Sequence, residues 1–109
     1  MTAASLRKLM SVLLVATGVL HLVVAAMGAP DALRLPLAAF GVLFGTLGVL
    51  LQRGGRAIVM AAIAACATGL VIGGAAYLQN GGPISLPVMF LIDAAVIAIG
   101  AIWLAKPAR

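Results

Sequence analysis

The stretch 83-PISLPVMFLIDAAVIAIGAIWLA-105 is a nearly continuous run of apolar residues that contains a single carboxylate, Asp93. About 20 apolar residues at a rise of about 1.5 Å each cover the ~30 Å hydrocarbon core of a bilayer. The run therefore predicts a membrane-spanning helix. An ionisable residue deep in such a helix is costly unless it is paired, protonated or in contact with water, so Asp93 marks a candidate functional site.

The composition of the whole chain excludes an ordinary soluble domain. Of its 109 residues, 65% are hydrophobic and only 8% are charged, and the mean hydropathy is +1.29. Soluble domains are about 45–50% apolar and about 25% charged. Because so few polar residues cannot cover a surface that faces water, we expect an all-α integral membrane protein.

Three further apolar runs precede this stretch, and the spans we expect are 9–28, 36–51, 57–78 and 84–105. Asp31 is expected in a turn at the membrane surface, and Pro36 is expected to open the second helix, where its missing N–H is harmless. Ser85 is expected to cap the fourth helix. The prediction is one domain, residues 1–109, folded as a bundle of four transmembrane helices.

Two alternatives concern the organisation of the chain. The basic start and the small residues 25–29 also describe a secretory signal peptide, but the first run is longer than a usual signal core and contains His21, so we interpret it as an uncleaved span. A shift of 51 positions aligns residues 16–18 with 67–69 and Leu-Pro at 35–36 with Leu-Pro at 86–87. Two tandem helical hairpins are therefore an open alternative to an unrepeated bundle.

The net charge of +5 indicates membrane orientation rather than nucleic-acid binding, because the seven cations lie in short clusters between the apolar runs. With four alternating spans, Arg34 lies alone on one side. The positive-inside rule then predicts cytoplasmic termini and, in a bacterium, the inner membrane. The cations on the predicted cytoplasmic side are Arg7, Lys8, Arg53, Arg56, Lys106 and Arg109.

His21 and Asp93 are predicted to lie at the same depth. His21 follows Lys8 by thirteen residues and Asp93 precedes Lys106 by thirteen, which places both ~20 Å from the cytoplasmic surface. The first and fourth helices of a small closed bundle are often neighbours, and Thr17 adds a hydroxyl to the face of His21. We therefore expect a polar intramembrane site at these three residues. Three interpretations stay open: a structural hydrogen bond, a site that binds a cation or relays protons, and no contact.

Small residues form a stripe on each of the two middle helices and predict close helix packing. Gly41, Gly45 and Gly48 lie on the second span, and Gly69 and Gly73 on the third. Such a stripe serves either the packing of one bundle or the contact with a second copy, so a homo-oligomer or a larger membrane complex is the expected state.

The residues of an enzyme or a metal site are missing from the sequence. The chain has one histidine, two acidic residues and one cysteine, Cys66, which we interpret as a small packing residue. It also lacks a phosphate-binding loop. We expect no catalysis, no metal and no cofactor, with a haem or quinone bound by way of a partner as the weakest alternative.

The leading functional hypothesis is a self-associating, transporter- or channel-like protein for a small solute or proton, with the lipid bilayer as its surroundings. The competing hypothesis is a non-catalytic accessory or assembly subunit of a larger membrane complex, in which a contact between His21 and Asp93 only fixes the bundle.

Overall fold

The computed structural model describes residues 2–27, 29, 31–82 and 84–106, which form four helices and no strand. Each helix is long and apolar enough to cross a membrane, with a mean hydropathy between 1.8 and 2.4 over its best 18-residue window. This confirms the predicted all-α bundle of four membrane-capable helices. The helices are α1 (Ala3–Met27), α2 (Asp31–Leu50), α3 (Arg56–Asn80) and α4 (Ser85–Ala105).

The helices form a closed ring in which each contacts its neighbours in the chain and α1 also contacts α4. The adjacency of the first and fourth helices is as predicted. The α1–α2 and α3–α4 contacts are the most extensive, which agrees with two helical hairpins, and the α2–α3 contact is the smallest of the four contacts around the ring. The bundle measures 45 × 22 × 19 Å. Its length matches the roughly 40–45 Å of a bilayer with its headgroups.

Helix α1 begins at Ala3, six residues before the predicted start of the span. The backbone N–H of Ser5 donates to the hydroxyl oxygen of Thr2 at 3.0 Å. This is the N-cap arrangement, in which a side chain satisfies one of the free N–H groups of the first turn. The helix therefore begins more than one turn before the apolar run, within the polar N-terminal segment. Gly28, the predicted end of the span, lies outside the described residues.

Helix α2 begins at Asp31, so the prediction that Pro36 opens it was wrong. Pro36 lies inside the helix as its sixth residue, where it has no N–H to donate to the carbonyl group of Ala32. Asp31 in the first turn also interacts favourably with the positive end of the helix dipole. Pro30, which belonged to the predicted turn, lies outside the described residues.

The junction between α3 and α4 depends on glycine and not on a serine cap. Ile84 occupies the N-cap position of α4 without a side-chain cap bond, so the predicted capping role of Ser85 was wrong. Gly81 donates its N–H to the carbonyl oxygen of Tyr77 at 2.7 Å and ends α3. Its φ of +70° is one that L side chains rarely adopt. The chain direction therefore changes where only glycine is unstrained.

The α1–α2 contact brings the backbones of the two helices together at Gly18. A Cβ atom on Gly18 would lie 2.8 Å from the backbone nitrogen of Gly45 and 2.9 Å from the carbonyl oxygen of Gly41. Gly41 and Gly48 also face α1 at distances that leave no room for a side chain. A Cβ on Gly45 itself would meet no atom within 4 Å. Of the three glycines in the predicted α2 stripe, Gly41 and Gly48 thus pack closely against α1.

A buried hydrogen bond also joins α1 and α2 at this contact. The Ser11 hydroxyl donates to the carbonyl oxygen of Gly48 at 2.6 Å, and Ser11 is 3% exposed. Small residues that hydrogen-bond across a helix contact are a recurring means of association where water supplies no hydrophobic driving force.

We expect Ser11→Ala to lower the free energy of unfolding by about 0.5–1.5 kcal/mol, because it leaves the Gly48 carbonyl group without its donor. Thr68→Ala is the matched control, since the exposed Thr68 hydroxyl bonds only to the Ala64 carbonyl group of its own helix. Unfolding in detergent measures both variants. An equal loss of unfolding free energy in Ser11→Ala and Thr68→Ala would contradict a specific role for the hydrogen bond between α1 and α2.

Two apolar clusters fill the interior of the bundle. The larger contains Leu14, Phe44 and Val96, and the smaller contains Val24 and Met89. Along α1 and α4 the polar residues lie between these clusters: His21 between Leu14 and Val24, and Asp93 between Met89 and Val96. The polar site therefore lies at a gap between the two apolar clusters.

Candidate functional site

All four helices line a cavity of about 90 Å³ at the gap between the apolar clusters. His21 of α1 and Asp93 of α4 both line it. Among the described residues, these two supply all the side-chain nitrogen and oxygen atoms of the lining. A cavity needs only about 10–15 Å³ to hold one water molecule, so this one has room for several waters or a small organic group.

The ring of His21 is held by its own helix. Its Nδ1 atom lies 2.6 Å from the carbonyl oxygen of Thr17, and the Thr17 hydroxyl lies 3.3 Å away. Because a carbonyl oxygen only accepts, we assign the proton to Nδ1, which leaves Nε2 as the acceptor of the neutral ring. The ring also contacts Phe44 edge-on, with centroids 5.1 Å apart. The backbone carbonyl group of Thr17 thus orients the His21 ring, and the Thr17 hydroxyl lies on the same face of α1.

Asp93 is buried without a full set of partners. The residue is 1% exposed, and within the described part of the chain its Oδ1 atom has no hydrogen-bond partner. The Cys66 thiol of α3 lies close to the carboxyl group. A weak donor of this kind satisfies little of the capacity of a carboxylate, which accepts at about four lone-pair positions. Oδ1 of Asp93 is therefore a buried polar atom whose hydrogen-bonding capacity the described residues leave unused.

His21 and Asp93 share the cavity without bonding to each other. Among the described residues, the structure has no hydrogen bond or ion pair between them, and Nδ1 of His21 is already bonded to Thr17. The two residues are therefore separate polar groups on neighbouring helices. Any coupling between them has to pass through whatever occupies the cavity.

Gly69 and Gly73 lie on the wall of this cavity. A Cβ on Gly69 would lie 3.4 Å from the ring of Phe44 and 3.5 Å from Oδ2 of Asp93, and one on Gly73 would lie 2.9 Å from the ring of Phe90. These glycines therefore leave space beside Asp93 and the aromatic rings. We expected them to form a helix-packing face, and the α2–α3 contact that they border is the smallest of the four contacts around the ring.

Several residues of the site were not singled out from the sequence. Cys66 was interpreted as packing alone, although it lies one turn before Gly69 and thus on the same face of α3. Phe40 and Phe90 line the cavity, and Phe90 contacts Tyr77 edge-on with centroids 6.0 Å apart. The spacing of Phe40 and Phe44 was the available signal, since it places two rings on the same face of α2.

The donor set does not suit a metal ion. Among the described residues, no three His, Cys, Asp or Glu side chains form a cluster that could hold one. A hard cation such as Ca²⁺ takes six to eight oxygen ligands, whereas the cavity offers one carboxylate.

Comparison with protein-family models, with curated proteins and with solved structures finds no match. The functional argument therefore rests on the cavity and its two polar residues.

Proposed function

We propose that this is a small integral membrane protein of transporter or channel type, which handles a small solute or proton at the cavity of His21 and Asp93. One observation carries the proposal: Oδ1 of Asp93 has no hydrogen-bond partner although the residue is 1% exposed and borders the cavity. An unsatisfied buried polar group costs roughly 1–3 kcal/mol. Membrane proteins retain such groups where a proton, an ion or a substrate supplies the partner.

Each polar residue has a distinct part in the proposed site. Asp93 accepts a proton or a hydrogen bond from the solute, and Nε2 of His21 is a second acceptor on the neighbouring helix. The backbone carbonyl group of Thr17 holds the ring in place, and the Cys66 thiol lies close to the carboxyl group. The proposal needs no cofactor, no metal and no enzymatic step.

The proposed location is an inner membrane, with both termini in the cytoplasm. The Arg7 guanidinium group donates to the carbonyl oxygen of Gly54 at 2.8 Å, so the start of α1 and the α2–α3 turn lie at the same end of the bundle. Five of the described cations lie near this end, and only Arg34 lies near the other. This asymmetry supports the orientation through the positive-inside rule. Arg109, which we also counted, lies outside the described residues.

Association with other chains is a separate part of the proposal. A second copy cannot use the faces of Gly41 and Gly48, which α1 covers. Gly74 of α3, where a Cβ would meet no atom within 4 Å, leaves that helix open to a neighbour. The competing role as an accessory subunit relied on a tie between His21 and Asp93, which the hydrogen bonds of the described residues do not include. Co-purification of a stoichiometric partner in mild detergent would favour that role.

We expect Asp93→Asn to reduce proton or solute flux in reconstituted vesicles by at least tenfold, because an amide cannot take up the proton or balance a positive charge. Flux is measured with a pH-sensitive dye trapped inside the vesicles. Asp31→Asn is the matched control: it removes the other carboxylate, which is exposed and lies 3.7 Å from Arg34. Equal flux in wild type and Asp93→Asn would overturn the proposed function.

A further inference from the structure

We infer that the groove between the start of α1 and the turn that follows α2 binds the phosphate group of an anionic phospholipid. Among the described residues, this basic groove shares no lining residue with the cavity of His21 and Asp93. The inference therefore goes beyond the proposed function and does not depend on it.

The polar wall of the basic groove carries positive charge and unused hydrogen-bond donors. Arg7, Lys8 and Gln52 line the groove, which has a volume of about 280 Å³. Arg7 has five N–H donors and uses its Nη1 atom to bond the carbonyl oxygen of Gly54 at 2.8 Å. Among the residues that the structure describes, neither Lys8 nor Gln52 has a side-chain hydrogen-bond partner. Three side chains therefore offer N–H groups to an anion.

The cations of the basic groove have no acidic side chain to pair with. The sequence contains only two acidic residues. Asp31 lies 3.7 Å from Arg34 at the opposite end of the bundle, and Asp93 is 1% exposed in its interior. The charges of Arg7 and Lys8 are therefore available to an anion from the surroundings.

A phosphate group suits these donors in charge, shape and size. The planar guanidinium group of Arg7 can bond two phosphate oxygens at once, and such charge-assisted bonds are stronger than neutral ones. A phosphate group is no larger than benzene, for which a cavity of about 150 Å³ suffices. Basic pockets between membrane-spanning helices bind the headgroups of anionic lipids. The groove of about 280 Å³ thus has room for the phosphate and the adjoining part of a headgroup.

The apolar wall of the basic groove favours a lipid over a free phosphate ion. Val12 follows Lys8 by one turn on the same face of α1, lines the groove and is 57% exposed. In a bilayer an exposed valine of a membrane-capable helix contacts acyl chains. Five residues separate Arg7 from Val12, so the basic and apolar parts lie about 7.5 Å apart along the helix. A phospholipid, whose phosphate adjoins its acyl chains, contacts both parts, whereas a free phosphate ion contacts only the basic one.

The test uses the full chain with ¹³C-methyl valine in a neutral detergent, titrated with phosphatidylglycerol, with phosphatidylcholine and with inorganic phosphate. Val12 reports on the groove. Val19, which is 56% exposed on the same helix but does not line the groove, reports unspecific contact with added lipid. We expect a saturable shift at Val12, with half-saturation by phosphatidylglycerol at a concentration at least tenfold below that of either other ligand. The choline group adds a cation that Arg7 and Lys8 repel, and inorganic phosphate lacks acyl chains.

A pair of variants tests whether the groove itself binds the lipid. Lys8→Gln removes one charge from the groove without breaking a hydrogen bond among the described residues. Lys106→Gln is the matched control, because it makes the same change at the same end of the bundle but outside the groove. We expect half-saturation by phosphatidylglycerol to rise at least fivefold in Lys8→Gln and to stay within twofold of wild type in Lys106→Gln.

Each contrary outcome overturns a stated part of the inference. Equal half-saturation by phosphatidylglycerol and phosphatidylcholine, or a Val12 shift no larger than that of Val19, would overturn the anionic-lipid site, and these wild-type comparisons require no variant to fold. Equal weakening in Lys8→Gln and Lys106→Gln would mean a general attraction to the basic end instead of a site. Inorganic phosphate as effective as phosphatidylglycerol would exclude the lipid as the occupant. None of these results bears on flux that depends on Asp93, so the proposed function is tested separately.

Discussion

Gly18→Ala is expected to lower the free energy of unfolding of the bundle by about 2–3 kcal/mol, the largest loss that we predict for a single methyl group. The new Cβ atom would lie 2.8 Å from the backbone nitrogen and 3.1 Å from the Cα atom of Gly45, and 2.9 Å from the carbonyl oxygen of Gly41. Backbone atoms of a packed helix cannot rotate away as a side chain can. The whole α1–α2 contact therefore has to separate, and the Ser11–Gly48 hydrogen bond is strained with it.

The control variants make the same chemical change where space exists. Gly45→Ala and Gly74→Ala each add a methyl group that meets no atom within 4 Å, so their stability is expected to stay within about 0.5 kcal/mol of wild type. Gly45 is the sharper control because it belongs to the same stripe as Gly41 and Gly48. Unfolding in detergent, followed by circular dichroism, measures all three. A Gly18→Ala variant as stable as Gly45→Ala would contradict the direct backbone contact.

Asp93→Leu is expected to raise the free energy of unfolding by about 1–3 kcal/mol while it abolishes flux. The substitution removes a buried carboxylate whose Oδ1 atom has no partner among the described residues, and it places apolar atoms beside a cavity of about 90 Å³ that has room for them. Residues that are needed for activity but costly to bury commonly lower the stability of the protein, so that their replacement raises it.

This prediction separates the two functional hypotheses. A structural tie would make Asp93→Leu less stable than wild type, because its partner would be left unsatisfied. Asp31→Leu is the control, since Asp31 is exposed at the end of the bundle and its removal should give no comparable gain. Unfolding and flux are measured on the same preparations. A stability loss with Asp93→Leu would favour the accessory role over the proposed one.

The fold was predictable to the extent that the four apolar runs determine it. Their lengths match the bilayer core, and a span of that length in lipid is a helix because its backbone groups have no other partners. Helix ends were less predictable. α1 extends to Ala3 because a threonine caps it, and α2 begins at Asp31 and runs through Pro36, which an apolar run opened by proline does not reveal. The end of a helix depends on bonds within a single turn, and the position of an apolar run in the sequence does not show which of these bonds form.

The candidate site was predictable in depth and in its main residues, but not in its contacts. Counting helical rise from Lys8 and Lys106 places His21 and Asp93 together, and both line one cavity. Whether these two residues bond to each other depends on the rotation of α1 about its axis. In the structure, His21 bonds instead to Thr17 of its own helix. The contribution of Cys66 likewise depends on the rotation of α3. A sequence without sharp amphipathic patterning carries little information about helix rotation, because lipid and protein interior are both apolar.

The sequence by itself determined the number of helices, their order and the depth of the polar residues, since these follow from run length and from the fixed rise of a helix. The tertiary structure alone decided which faces meet: that Gly18 contacts the backbone of α2, that Gly45 has free space, and that Asp93 lines a cavity while its Oδ1 atom has no partner among the described residues. The reason is that close packing depends on distances of tenths of an ångström between helices, and residue spacing along a chain does not specify them.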